Sequence, residues 1–119
     1  MHPQLEILLE IQDLKTQRRE LVETPDEREV EEGVFNVSVE QAVAELDEKI
    51  SEMEEALAPQ VRSRYRRVAG RRGRAIVPVI RGICYGCFVA VPTALASDAE
   101  RNEELRTCEN CGRFLYLID

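Results

Sequence analysis

Four cysteines carry the chemistry that can be read most directly from this chain. They stand as Cys84-Tyr-Gly-Cys87, then twenty residues, then Cys108-Glu-Asn-Cys111-Gly112. Two Cys-x-x-Cys pairs at this separation have the spacing of a zinc site. Two intervening residues let a tight turn aim both sulfurs at one ion. Four thiolates then close a tetrahedral shell and leave no position for water or substrate. The expected cofactor is one structural Zn2+ held by Cys84, Cys87, Cys108 and Cys111. Gly86 and Gly112 are expected to supply the backbone angles of the two turns and to let N–H groups approach the sulfurs. A redox dithiol is a poorer reading, because a thioredoxin-like pair opens a helix within a βαβ unit and no such pattern is present. A disulfide pair is the other alternative, and iron is chemically compatible with four thiolates.

A ribbon of about 35–40 residues buries too little surface to fold unaided, so a metal there is also a folding device. From Ala75 the apolar period is two. Ala75–Ile80 reads as a strand whose Pro78 suggests a sheet edge, and Phe88–Val91 and Arg113–Ile118 read as two more. Pro92–Arg101 reads as a helix of two to three turns. Tyr85, Phe88, Phe114 and Tyr116 are expected to form the ribbon's small core, with stacking on nucleobases as the rarer use.

Helices must carry this ribbon. Ile7, Ile11, Leu14, Arg18 and Leu21 recur in steps of four and three, and Leu5, Leu8, Leu9 and Val22 widen the stripe. Val39, Val43, Leu46, Ile50, Met53 and Leu57 repeat the same steps, with Ser38 and Gln41 placed as a capping box. Between them Thr24–Ser38 contains Pro25, Gly33 and five acids, as a hairpin tip would. Pro59 should end or kink the second helix. A short third helix follows, with Val61, Tyr65 and Val68 on one face and Gly70 and Gly73 stopping it. The expected fold is α+β: an antiparallel helical hairpin, partly coiled coil, then a C-terminal zinc ribbon. The expected division is residues 1–72 and 73–119. On that division, losing the metal would unfold residues ~75–119 and leave the hairpin helical.

The chain has 119 residues and a net charge of −7, but the charge is segregated. Residues 1–58 carry −12, residues 59–82 carry +8 from eight arginines with no acid, and residues 83–119 carry −3. No apolar run approaches the ~20 residues that cross a bilayer, so no membrane partner is expected. Met1–Leu14 lacks a basic start followed by an unbroken apolar stretch. A cytoplasmic setting is therefore expected, in which paired cysteines are metal ligands.

The run from Tyr65-Arg-Arg through Gly70–Arg74, Ala75-Ile-Val, Gly82-Ile-Cys84-Tyr-Gly-Cys87, Pro92 and Cys108-Glu-Asn-Cys111-Gly112-Arg113-Phe-Leu115-Tyr116 resembles a bacterial family that joins a coiled coil to a C4-type zinc ribbon. The likeness covers about Leu57–Tyr116, and the hairpin ahead of it is shorter than the family's. The resemblance implies that the four cysteines are the metal ligands and that the protein binds nucleic acid.

No catalytic constellation accompanies these features, so no enzymatic activity is expected. The leading expectation is a non-enzymatic adaptor or regulator that binds RNA or single-stranded DNA through Arg62, Arg66, Arg67, Arg71, Arg72 and Arg74, since guanidinium groups pair with phosphate oxygens. The bland alternative is a solvated basic face paired with the acidic helices. A different class of function is a protein–protein module acting on RNA polymerase or another transcription component through the acidic tip Asp26–Glu32, by analogy of architecture. A third is a structural subunit that forms a homodimer through its hairpin.

Overall fold

The computed structural model describes residues 1–23, 35–96 and 101–118. Its elements are α1 (Pro3–Val22), α2 (Phe35–Ala56), α3 (Pro59–Arg72), β1 (Ile76–Ile80), β2 (Ile83–Cys84), the single-turn α4 (Thr93–Ala96), β3 (Arg106–Thr107) and β4 (Phe114–Leu117). Helices and a small mixed sheet make the fold α+β. The acidic tip expected at Asp26–Glu32 lies outside the described residues. Among the described residues, no helix is long and apolar enough to cross a membrane.

Helices α1 and α2 form an antiparallel pair. Lys15 reaches Glu54 at 3.9 Å while Arg18 reaches Asp47 at 2.5 Å, so the numbering runs in opposite directions along the contact. Helix α2 starts at Phe35, three residues before Ser38, so Ser38 lies inside the helix and does not cap it. Phe35 and Val39, four residues apart, carry the apolar spacing back by one more turn. The α1 stripe is also rotated from the expected seam. Leu5, Leu8 and Ile11 are its buried residues, while Ile7 and Leu14 sit at the margin. A two-helix seam is the wrong template here, because α1 also packs against the sheet.

The start of α1 is held by side chains. His2, the one histidine of the chain, caps the helix by accepting the Gln4 N–H on Nδ1 at 3.1 Å. Gln4 Oε1 in turn accepts the Ala58 N–H at 2.8 Å, across the base of the hairpin. Helix α3 passes through Gly70 and ends only at Gly73, whose φ of +81° closes the last turn onto Ala69.

The sheet order is β2-β1-β4-β3. Strand β1 runs antiparallel to β2 and parallel to β4, so it is interior and Pro78 is not at a sheet edge. A proline is accommodated because β2 is short. Tyr85 donates its N–H to the Pro78 carbonyl at 3.0 Å, the return bond that proline cannot make is missing, and the β2 ladder stops there. Arg81 and Gly82, both with positive φ, form the two-residue turn between β1 and β2. Phe88–Val91 is not a strand. Phe88 has φ +59°, which breaks the extended run and leaves one bridge, Ile83 to Ala90. Of the helix expected over Pro92–Arg101 the described residues show the turn Thr93–Ala96, and Arg101–Glu104 form turns and bends. Residues 97–100 lie outside the described residues.

Both faces of the β1–β4 pair are covered. Ile76 and Phe114 join Leu5, Leu8, Ile11, Ile50, Leu57, Tyr65 and Val68 in a core beneath the helices, with Tyr116 packed at its rim. Val77, Val79, Leu115 and Leu117 alternate to the opposite face and pack against the cysteines. Burial on both sides explains why β1 and β4 read as near-continuous apolar runs. Asn102 fastens the outer face. Its side chain donates to the Leu117 carbonyl at 2.9 Å and accepts the Leu117 N–H at 2.8 Å, while its own carbonyl accepts the His2 N–H at 2.6 Å. Asparagine tolerates the left-handed φ of +67° found there.

Since one core spans the helices and the sheet, helix and ribbon should melt together. Phe114→Ala is expected to cost about 3–5 kcal/mol. Its helical ellipticity and its ribbon amide protection should then fall in one coincident transition. Asn102→Ala should cost about 1–3 kcal/mol by stranding the backbone of buried Leu117. Denaturant titration checks both.

Candidate metal centre

The two Cys-x-x-Cys turns face each other across the zinc-side face of the sheet. Strand β2 delivers Cys84 and its turn delivers Cys87. The β3–β4 connection delivers Cys108 and Cys111. Cys84, Cys108 and Cys111 are buried, Cys87 is half-buried, and all four are free thiols. Their sulfurs lie within 4.8 Å of one another. The closest pairs run between the turns, Cys84 to Cys111 at 3.8 Å and Cys87 to Cys108 at 3.7 Å. A tetrahedral shell with Zn–S bonds of about 2.3 Å has edges of about 3.8 Å. The four sulfurs therefore fit one zinc ion, and four protein ligands make it a structural ion.

Backbone N–H groups aim at the sulfurs in a repeating pattern. Gly86 and Cys87 donate to Cys84, Val89 donates to Cys87, and Arg113 donates to Cys111. The amide of Asn110 reaches across from the second turn to Cys87 and is the main reason that thiol is lowered to about 6. Burial dominates at the other two, pushing Cys84 up to about 12 and Cys111 upward as well. Ionising these buried thiols costs desolvation, and a divalent cation offsets that by holding the ligands as thiolates.

The two glycines meet the expectation in different parts: the Gly86 N–H approaches the Cys84 sulfur, and the special backbone angle is found at Gly112 alone. Gly112 does take a left-handed φ, +78°. Gly86 does not. A Cβ at Gly86 would meet the Arg113 side chain as that chain now lies and come within 3.1 Å of Val77. The position that matches Gly112 in the first turn is Phe88, at φ +59°. In each turn the residue after the second cysteine goes left-handed, so that the next N–H can donate back to that cysteine's sulfur. A bulky residue holds this conformation at a cost of about 1–2 kcal/mol.

The aromatic residues divide. Phe114 is buried in the helix-side core and Tyr116 packs at its edge, whereas Tyr85 and Phe88 are 45% and 70% exposed.

The arginine run divides too. Arg62 donates to the carbonyls of Glu54, Glu55 and Leu57 at 2.8–3.1 Å, satisfying the end of α2. Arg66 lies 3.4 Å from Glu55. On another face of α3, Arg64, Arg67 and Arg71 line a cleft of about 140 Å³ with Val68, Cys111 and Gly112. Arg64 reaches the Gly112 carbonyl at 3.5 Å. Arg67, Arg71 and Arg74 are exposed and form no ion pair among the described residues. The side chain of Arg72 lies outside what is described. Arg64 was not among the expected contacts, although 64, 67 and 71 share one helical face and 62 and 66 share another, a signal present in the spacing. Between these faces, Tyr65 donates to Glu54 at 2.6 Å beneath the Lys15 ammonium, and burial first, then that bond, holds its phenol far above the ordinary range.

Fold and site together define a zinc-ribbon protein, a structural or binding module. Residues 83–115 match the family model of the C4-type zinc ribbon domain, so the chain carries that domain. Comparison with curated proteins gave no match. Among solved structures the chain is similar to CT398 from Chlamydia trachomatis, with 21% identity and a TM-score of 0.50 over 76% of this chain and 42% of that one. It is also similar to the HP0958 protein from Helicobacter pylori, with 22% identity and a TM-score of 0.58 over 72% of this chain and 38% of that one. At such identities the likeness is one of fold. The chain spans about two fifths of the length of these two proteins.

The purified protein should carry about one zinc per chain by elemental analysis. Cys108→Ser should lose the zinc. Because Ile76 and Phe114 are shared with the helices, it should also lower the midpoint of the helical melt and not merely unfold the ribbon. A helical melt identical to the parent's would contradict the shared core.

Proposed function

We propose that this chain is a non-enzymatic zinc-ribbon adaptor or regulator that binds single-stranded nucleic acid, RNA foremost, in the cytoplasm. The observation that carries this reading is the cleft formed by Arg64, Arg67 and Arg71 against the second cysteine turn. A basic stripe folded against the acidic hairpin would have its charge neutralised there. Arg62 and Arg66 meet that description. The other face carries three guanidinium groups at helical spacing, no acid lines its cleft, and exposed Arg74 follows at the end of α3. Such an arrangement suits consecutive phosphates, which guanidinium groups bind with two parallel hydrogen bonds. In this reading Arg62 is a helix-terminating residue and not a contact.

The test is titration of labelled RNA with the parent, Arg67→Gln/Arg71→Gln and Arg62→Gln. The parent should bind weakly and with little sequence preference. Two or three phosphate contacts give a log–log salt slope of about −1.5 to −2. The double variant should lose most of that affinity with an unchanged melting midpoint. Arg62→Gln should bind like the parent but melt earlier, having released the carbonyls of Glu54, Glu55 and Leu57 at the end of α2. Equal binding by the parent and the double variant, or none by the parent at low salt, overturns the proposal.

A further inference from the structure

Phe88 is held in a left-handed conformation that its own position does not require to be aromatic. The second cysteine turn places Gly112 at the equivalent point and makes the same N–H to sulfur bond. In a bulky residue such a backbone outlier marks a position where the side chain itself is used. The side chain is not used for packing, since Phe88 is 70% exposed. Among the described residues its aromatic neighbour is Tyr85, also exposed, with ring centroids 5.5 Å apart and planes tilted by 53°. Neither residue belongs to either hydrophobic core.

We propose that Tyr85 and Phe88 form a stacking platform for the bases of a single-stranded nucleic acid. This rests on the nucleic-acid reading above and adds to it a second, base-directed contact. The backbone that carries the rings is anchored. Tyr85 is tied by its N–H to Pro78, and Phe88 donates its N–H to the Cys84 carbonyl at 2.7 Å, so both ride on the metal-anchored turn. The stretch of sequence that carries them is basic. No acidic residue occurs anywhere from Pro59 to Ser97, and the turn of the same hairpin presents exposed Arg81. Open ring faces on a basic stretch of chain suit a polyanion whose bases are splayed from its backbone. Every base offers a π-face, so such a platform adds affinity with little sequence preference.

The experiment compares an oligouridylate with an abasic strand of equal length and charge, using the full-length zinc-loaded protein. The parent should bind the strand with bases more tightly, by roughly tenfold per stacked base. Tyrosine emission should be partly quenched by that strand alone, since the protein has no tryptophan and Tyr85 is the exposed one of its three tyrosines. Phe88→Gly removes the ring and suits the backbone. It should keep one zinc and the parent salt slope while its affinity for the two strands converges. Phe88→Asn, which also tolerates this φ, should behave the same way. If both folded variants keep the parent's preference for bases, the platform is refuted. If both variants lose zinc, Phe88 is a folding residue and the platform is likewise refuted. If the parent binds the two strands equally and through Arg67 and Arg71, the platform falls while the phosphate cleft stands. The rings would then be left for an apolar protein partner. If the parent binds neither strand, both readings fall together.

Discussion

Strands β1 and β4 pair in parallel through the middle of the molecule, and each presents one face to the helices and the other to the four thiolates. Everything else depends on that pair staying flat and closed. Its zinc side is a few valines and leucines and four cysteines, too little apolar area to hold a sheet of this size by itself. The metal supplies the missing cohesion by tying the β2 end and the β3–β4 connection to one point. Its helix side then gives Leu5, Leu8 and Ile11 a floor that a two-helix hairpin lacks. The coupling runs in both directions. Helices shield Ile76 and Phe114, and the thiolate centre keeps those residues in position to be shielded.

Helix α3 sits between two bodies of negative charge. Seven acids of the described α2 lie along the hairpin, and four thiolates around a divalent ion keep a net negative charge of about two. Its arginines are sorted accordingly, Arg62 and Arg66 toward Glu55 and the end of α2, Arg64, Arg67 and Arg71 toward the second cysteine turn. Tyr65 and Val68 pin the helix between these faces and set its rotation. A rotation of half a turn would exchange the two faces. The packing of two apolar side chains thus decides which cations the hairpin neutralises and which stay open to solvent.

The two cysteine turns solve one geometric problem with different residues. Both need a left-handed residue so that the following N–H can meet a sulfur, and one uses Gly112 while the other uses Phe88. Glycine adopts this backbone without a steric penalty, and phenylalanine does not. The strained turn is the one that carries exposed rings. The relaxed turn is the one that meets the arginines.

The four ligands, the three helices, the two strands β1 and β4, and the segregation of charge are legible in the sequence alone, because each rests on the residue types within one short stretch. Two residues between cysteines make a turn wherever it sits, and steps of three and four make a helix face. Longer-range facts were decided only by tertiary structure. Pro78 reads as an edge residue by its chemistry, yet it is interior because β2 happens to end beside it. The α1 stripe reads as a two-helix seam, yet it rotates because a sheet lies against it. Phe88 and Phe114 are the same residue type near paired cysteines, and one is exposed while the other is core. Composition and period describe what a side chain can pack against. Which partner it meets depends on elements far away in the chain, and only their assembly specifies that.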